Sequence, residues 1–286
     1  MPSNKISIIE CPRDAMQGWH QFIPTAKKIE YINLLLQIGF HTIDFGSFVS
    51  PKAIPQMADT KEVLKGLKFK NTQSKLLAIV ANVRGAKETV LFDEILYLGF
   101  PFSISETFQL RNTNSNIKES LERVDEIQEL CIKDNKELVV YLSMAFGNPY
   151  GDEYNESILL QYADEMFKRE IKIISLADTV GIASSEQIEW ALNTLIPKYV
   201  NNIFGVHLHA SSKNIHTKLK AAIKAGCTRF DGALKGIGGC PMAQDNLVGN
   251  MNTEIMLEYF EREKLIDHIN HDALQDALKL ANEIFI

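Results

Sequence analysis

Eight short apolar, β-branched runs recur along the chain, and longer segments with apolar residues at three- and four-residue steps separate them. The runs are "ISIIEC" (6–11), "TIDFGS" (42–47), "LLAIVA" (76–81), "EILYLGF" (94–100), "ELVVYLSMAF" (137–146), "IKIISLAD" (171–178), "IFGVHLHA" (203–210) and "TRFDGAL" (228–234). Helical patterns occupy 25–39, 116–135, 156–170, 185–197 and 216–226. Strands that alternate with helices pair in parallel through right-handed crossovers. Eight such strands in 286 residues predict an α/β chain folded as a TIM (β/α)8 barrel, a fold of ~250 residues. A doubly wound open sheet is the alternative, but no GxGxxG follows the first run. No linker, low-complexity tract or repeat interrupts the pattern, so residues 1–286 are expected to form a single domain. The terminal helix "HDALQDALKLANEIFI" should close it.

Sites in such barrels lie at the C-terminal ends of the strands. Arg13 and Asp14 follow the first run, Asp44 lies in the second and Asp178 ends the sixth. The seventh carries His207 and His209, and the eighth leads into "GIGGCPMAQDNLVGN" (236–250), with Cys240 and Asn250. Each has a plain structural alternative: a solvated Arg-Asp turn, a helix-capping Asp, a buried thiol beside a glycine turn. The two histidines are more informative, because a spacing of two puts both imidazoles on one face of a strand. Neutral imidazoles can ligate a divalent cation. With Asp14 and Asn250 added, two nitrogens and two oxygens suit Mg or Mn better than zinc. Asn246 and Asn252 compete with Asn250 for the fourth position. The remaining histidines, and the lysines at 65, 68, 70 and 75, are expected to be structural or solvated.

Charge and cysteine usage narrow the partners. A net charge of -6 and a pI near 5.7 offer no broad basic field, which argues against nucleic acid. No apolar stretch reaches membrane-spanning length, and the N-terminus lacks a signal-peptide core. Cys11, Cys131, Cys227 and Cys240 form no CxxC pair, so reduced thiols and a cytoplasmic location are expected.

Taken together, "ECPRDAMQ" (10–17), "TIDFGSFVSPKAIPQMADTKEVLKGL" (42–67), "SLADTVGI" (175–182), "GVHLHA" (205–210) and "GIGGCPMA" (236–243) resemble the 3-hydroxy-3-methylglutaryl-CoA (HMG-CoA) lyases, in family order from first strand to last helix. The long second segment is specific, whereas "PRD" and "HxH" are shared with a wider superfamily of metal-dependent TIM-barrel lyases and Claisen-type synthases. The resemblance implies Asp14, His207, His209 and Asn250 as cation ligands and Arg13 as the group that steadies the enolate oxygen. It places Asp44 and Asp178 among the catalytic acids, Cys240 on the catalytic loop, and Gln17 beside Arg13 in substrate binding. It further implies an acyl-CoA substrate, a divalent cation and a homodimer.

The implied reaction is retro-Claisen cleavage of HMG-CoA to acetyl-CoA and acetoacetate, as in leucine breakdown or ketone-body formation. The alternative is a related Claisen-type synthase, or a lyase for another 3-hydroxyacyl-CoA. Met16 stands where the synthases carry a glutamate, which favours the lyase. Departures from the family are Asp44 for a glutamate, "HLHASS" for "HxHDTY", Asn148 for a cysteine, and one extra residue between Cys240 and Asn250.

Overall fold

The computed structural model describes residues 5–239, 248–267 and 269–286. Strands β1 (Ser7–Glu10), β2 (Thr42–Ser47), β3 (Lys75–Ile79), β4 (Ile95–Ser103), β5 (Glu137–Ser143), β6 (Ile173–Ala177), β7 (Ile203–His207) and β8 (Arg229–Gly232) pair in parallel and in sequence order into a closed barrel. The ring closes through β1 and β8, where Ile9 pairs with Asp231. This is the expected TIM barrel.

Helices α1 (Pro12–Gln17), α2 (Thr25–Leu35), α3 (Thr60–Lys65), α4 (Val83–Thr89), α5 (Glu106–Thr113), α6 (Ile117–Lys133), α7 (Glu156–Lys168), α8 (Ser185–Lys198), α9 (Ile215–Lys224), α10 (Thr253–Arg262) and α11 (His271–Ile284) form the outer layer. Their starts are chemically specified. Asn116 and Ser184 make reciprocal capping boxes with Glu119 and Gln187, and Asn155, Asn252 and Asn270 each accept a first-turn N–H. Such caps typically contribute ~1 kcal/mol each. The main apolar core lies between strands and helices, while Leu77, Tyr97, Val139, Tyr141 and Ile173 fill the barrel interior.

Two local departures from the expected elements shape the mouth of the barrel. Strand β7 ends at His207, not at residue 210. Beyond it the chain leaves the parallel ladder and pairs antiparallel with residues 249–251: Ala210 N donates to Gly249 O and Met251 N to Leu208 O. His209 and Asn250 therefore face each other across an isolated bridge. The second departure is a bulge in β2 between Asp44 and Gly46. A Cβ on Gly46 would sit 2.6 Å from Thr60 Cγ2, so this close packing against α3 requires glycine.

Candidate active site

A cavity of about 400 Å³ opens at the C-terminal end of the strands. Arg13, Asp14, Gln17, His207 and His209 line one side, with Ser47, Tyr141, Ser143 and Thr179 around them. Residues 12 to 17 are here because Pro12 starts α1 immediately after β1, folding "PRDAMQ" back over the barrel.

The carboxylate of Asp14 is the hub. Its Oδ1 accepts from Arg13 Nη1 at 2.9 Å and Gln17 Nε2 at 2.6 Å. Its Oδ2 accepts from Asn250 Nδ2 at 2.6 Å and Gly239 N at 3.3 Å. Burial pushes this acid up, but the Arg13 charge and the two imidazoles outweigh burial and lower it to about 2. It is a permanent anion at neutral pH.

The two imidazoles are held differently. His207 Nδ1 lies 3.2 Å from Asp231 Oδ2, while His209 Nδ1 lies 2.7 Å from Val248 O. The rings approach to 5.3 Å between centroids. Burial alone would lower His207, yet the bond to Asp231 and that residue's charge raise it. For His209, burial followed by the neighbouring His207 brings the ring down to about 4. With both Nδ1 atoms engaged by outer partners, both Nε2 atoms remain for ligation, the arrangement used by metal-binding histidines.

The residues fit a divalent cation on their own chemistry. An ionised carboxylate and two imidazoles line one cavity, and Asn250, bridged to His209 through the backbone, bonds Asp14 through its carboxamide. A Cβ on Gly238 would collide with Asn250 Nδ2 and lie 3.0 Å from Asp14 Oδ2. The left-handed φ of +113° at Gly238 therefore leaves the carboxylate and carboxamide in close contact with the backbone. Of the competing asparagines, Asn252 spends its Oδ1 on Ile255 N at the start of α10, and Asn246 lies outside the described residues. So does Cys240.

Arg13 is pinned on two sides. Its Nε lies 3.1 Å from Asp44 Oδ2 and its Nη2 2.5 Å from the same oxygen, while Nη1 takes Asp14. Burial works against the guanidinium charge, but Asp44 and Asp14 outweigh it and strengthen its hold on its proton. Asp44 is fully buried and stands behind Arg13, not on the cavity wall. Burial, against the pull of Arg13, raises it to about 6. It orients the arginine.

Asp178 is also set behind the wall. Its Oδ2 accepts from Lys218 Nζ at 2.5 Å and its Oδ1 from Ala183 N at 3.0 Å. Burial raises its acid, and Lys218 opposes the rise. Lys218 also donates to His209 O at 2.7 Å and Gly181 O at 3.1 Å. The pair ties the β6 and β7 loops to α9.

Sequence reasoning passed over Lys218 and Asp231. Lys218 sits three residues after Ile215 and one before Leu219, on the apolar stripe of α9, where a lysine is out of place unless paired. Asp231 follows Arg229 by two, so both share a face of β8 opposite Phe230. Met16, in contrast, is fully buried in the core between strands and helices and takes no part in the cavity wall.

These features define a (β/α)8 enzyme of the carbon–carbon lyase class. The chain belongs to the HMGL-like family, whose model matches residues 5–281. It is 32% identical over 280 residues to the hydroxymethylglutaryl-CoA lyase of Bacillus subtilis, covering 98% of this chain and 93% of that one. It is 30% identical over 281 residues to the mitochondrial enzyme of Homo sapiens, covering 96% and 83%. The structure of an HMG-CoA lyase from Acinetobacter baumannii, in complex with coenzyme A and 3-methylmalate, superposes with a TM-score of 0.91 at 30% identity over 100% of this chain and 92% of that one. Among the described residues, no helix is long and apolar enough to cross a membrane.

Proposed function

We propose that residues 1–286 form one catalytic domain that cleaves HMG-CoA to acetyl-CoA and acetoacetate with the help of a divalent cation. The observation that carries this reading is that Asp14, His207 and His209 line one cavity at the barrel mouth beside a fixed Arg13, with Asn250 bonded to Asp14, in a chain similar to HMG-CoA lyases over nearly its whole length.

Cleavage requires the C3 hydroxyl of the substrate to lose its proton, the C2–C3 bond to break, and the resulting enolate of acetyl-CoA to gain a proton at carbon. A divalent cation held by Asp14, His207, His209 and Asn250 would supply the first requirement, since it lowers the pKa of an oxygen that it coordinates. The two-nitrogen, two-oxygen donor set supports Mg or Mn over zinc. Arg13 keeps its charge under all accessible conditions and is held rigid by Asp44 and Asp14, so it stabilises the enolate oxygen at little reorganisation cost. Gln17 holds the Asp14 carboxylate and borders the substrate. Asp178 has both oxygens engaged behind the wall, by Ala183 N and Lys218 Nζ, whereas His207 lines the cavity as a cation ligand. Cys240, placed by its motif on the loop after β8, is assigned as proton donor to the enolate carbon.

The cysteines support a reducing compartment such as the cytoplasm: Cys11, Cys131 and Cys227 are all buried and unpaired. Family resemblance supports a homodimer. The deciding experiment is acetoacetate release from HMG-CoA and a panel of other 3-hydroxyacyl-CoA thioesters, with Mg or Mn and with EDTA as control. Metal-dependent release from HMG-CoA is expected. No acetoacetate from freshly reduced, metal-supplemented protein would overturn the reading.

A further inference from the structure

Beneath the cation ligands a second set of ligating atoms converges. Cys11 Sγ, a ring nitrogen of His207 and a carboxylate oxygen of Asp231 lie within 4.8 Å of one another. Cys11 follows β1 and Asp231 lies on its neighbour β8, so the group sits inside the barrel; the two residues are 1% and 2% exposed. The nitrogen turned toward this group is Nδ1, which faces Asp231 Oδ2 at 3.2 Å. Asp231 Oδ1 is buried with no hydrogen-bond partner among the described residues. Among the described residues the Cys11 thiol makes only a long 3.7 Å contact with Ile9 O. Nothing in the lyase chemistry uses this thiol.

We propose that Cys11, His207 and Asp231 form a binding site for one borderline or soft divalent cation of the zinc class, and that filling it excludes the harder cation from Asp14, His207, His209 and Asn250. The donor set is the first reason. One sulfur, one imidazole nitrogen and one carboxylate oxygen with a fourth position open is a zinc-type combination, while Mg and Mn favour oxygen donors. Distance is the second. Ligands of a tetrahedral zinc ion lie ~3.5 Å apart, so rotation of the weakly held Cys11 side chain closes the gap. Charge is the third: Asp14, Asp44 and Asp231 surround the thiol against a single Arg13. Burial together with these acids holds the thiol protonated without a cation. Binding therefore replaces an S–H bond with an S–metal bond and releases that proton to solvent.

Mutual exclusion follows from the imidazole itself. A neutral imidazole has one ring nitrogen with a free lone pair and one that carries hydrogen. When Nδ1 ligates the interior cation, the hydrogen resides on Nε2, which can then donate but not ligate. The upper site loses one of its four ligands. This half of the proposal rests on the ligand assignment given under Proposed function.

Cadmium is the probe, because its thiolate complex gives an ultraviolet charge-transfer band. Added to the metal-free protein, Cd2+ should produce this band with one equivalent bound. The band should persist in Cys240→Ala and vanish in Cys11→Ala, while Cys11→Ala retains wild-type turnover with Mg. Cys11→Ser, closer in volume, provides the same comparison should the alanine variant fold poorly. Mn2+ at about 100 times its dissociation constant should raise the cadmium needed for half-saturation about 100-fold, and free Mn2+ should appear by electron paramagnetic resonance as cadmium binds. A band that survives in the Cys11 variants, that disappears in Cys240→Ala, or that ignores Mn2+ overturns the proposal. Both readouts report binding, so a protein that failed to cleave HMG-CoA would sink the proposed reaction without touching this site.

Discussion

Two buried acid–base pairs flank the mouth of the barrel, and they are alike in charge, burial and distance. Arg13 meets Asp44 at 2.5 Å and Lys218 meets Asp178 at 2.5 Å. They differ in where the donors go. Lys218 has three N–H groups and places them on Asp178, Gly181 O and His209 O, so nothing is left for a ligand. Arg13 has five, and its contacts with Asp44 and Asp14 leave part of the fork on the cavity wall. A buried ion pair is therefore not by itself a sign of catalysis. What separates the reactive pair from the structural one is unspent hydrogen-bonding capacity facing the substrate.

The largest test of this contrast is Lys218→Met. It leaves Asp178 buried without a cation and removes a donor from two loop carbonyls, so urea denaturation should show a loss of about 3–5 kcal/mol. Adding Asp178→Asn should recover most of it, since the uncompensated charge is then gone. A single variant as stable as wild type would show that the pair holds nothing together.

Arg13→Met should behave in the opposite way. Removing the fixed cation that faces the enolate oxygen should lower kcat by about 10²–10³-fold. Its denaturation midpoint should move less than that of Lys218→Met, because Asp44, which burial already raises to about 6 against the pull of Arg13, takes up a proton once that pull is gone, and Asp14 keeps Gln17, Asn250 and Gly239 as donors. A variant that is destabilised yet fully active would reverse the assignment of the two pairs.

The histidines extend the comparison to cation binding. His207 rests on a carboxylate and His209 on a carbonyl, so their outer partners differ in charge. Asp231→Asn should weaken Mn2+ binding by about 10–100-fold, measured by calorimetry on the metal-free protein, as loss of outer-partner hydrogen bonds does in other histidine sites. Unchanged affinity would show that Asp231 does not orient the ring.

Why some of this was legible in the sequence and some not has a physical explanation. Short apolar, β-branched runs and the period-3.6 stripe are local, so the eight strands and the longer helices could be read directly, and their alternation implied the closed barrel. The short helices α1, α3 and α4 lack enough turns to show a stripe, and their boundaries depend on Pro12 and Asn82 and on packing. His207 and His209 were expected on one strand. The structure brings them together by another route, with His209 held through its antiparallel bridge to Asn250, a contact between residues 41 positions apart that no local pattern encodes. Asp44 was legible as an acid within a strand and Asp178 as one at a strand end, but their oxygens are spent on Arg13 and Lys218, and only tertiary contacts reveal that.

A third buried acid takes the comparison to its limit, because no cation pairs with it among the described residues. Glu10 is fully buried and joins β1 to the exit of β8, accepting from Leu234 N at 2.8 Å and pairing with Thr253 Oγ1 at 2.6 Å. Burial, only partly offset by these bonds, raises it from 4.5 to about 8. A carboxyl that holds its proton more tightly when folded stabilises the fold fully below its unfolded pKa. That contribution declines as pH rises from 4.5 toward 8. In the neutral form its O–H donates to Thr253 Oγ1 and its carbonyl oxygen accepts from Leu234, a pattern that a carboxamide reproduces. Glu10→Gln should therefore match the wild type near pH 5 and lose less stability than it by about pH 9, measured as urea midpoints across that range. Parallel pH curves for the two proteins would mean that Glu10 keeps its charge without a cation, and that two hydrogen bonds suffice where Asp44 and Asp178 each use a basic side chain.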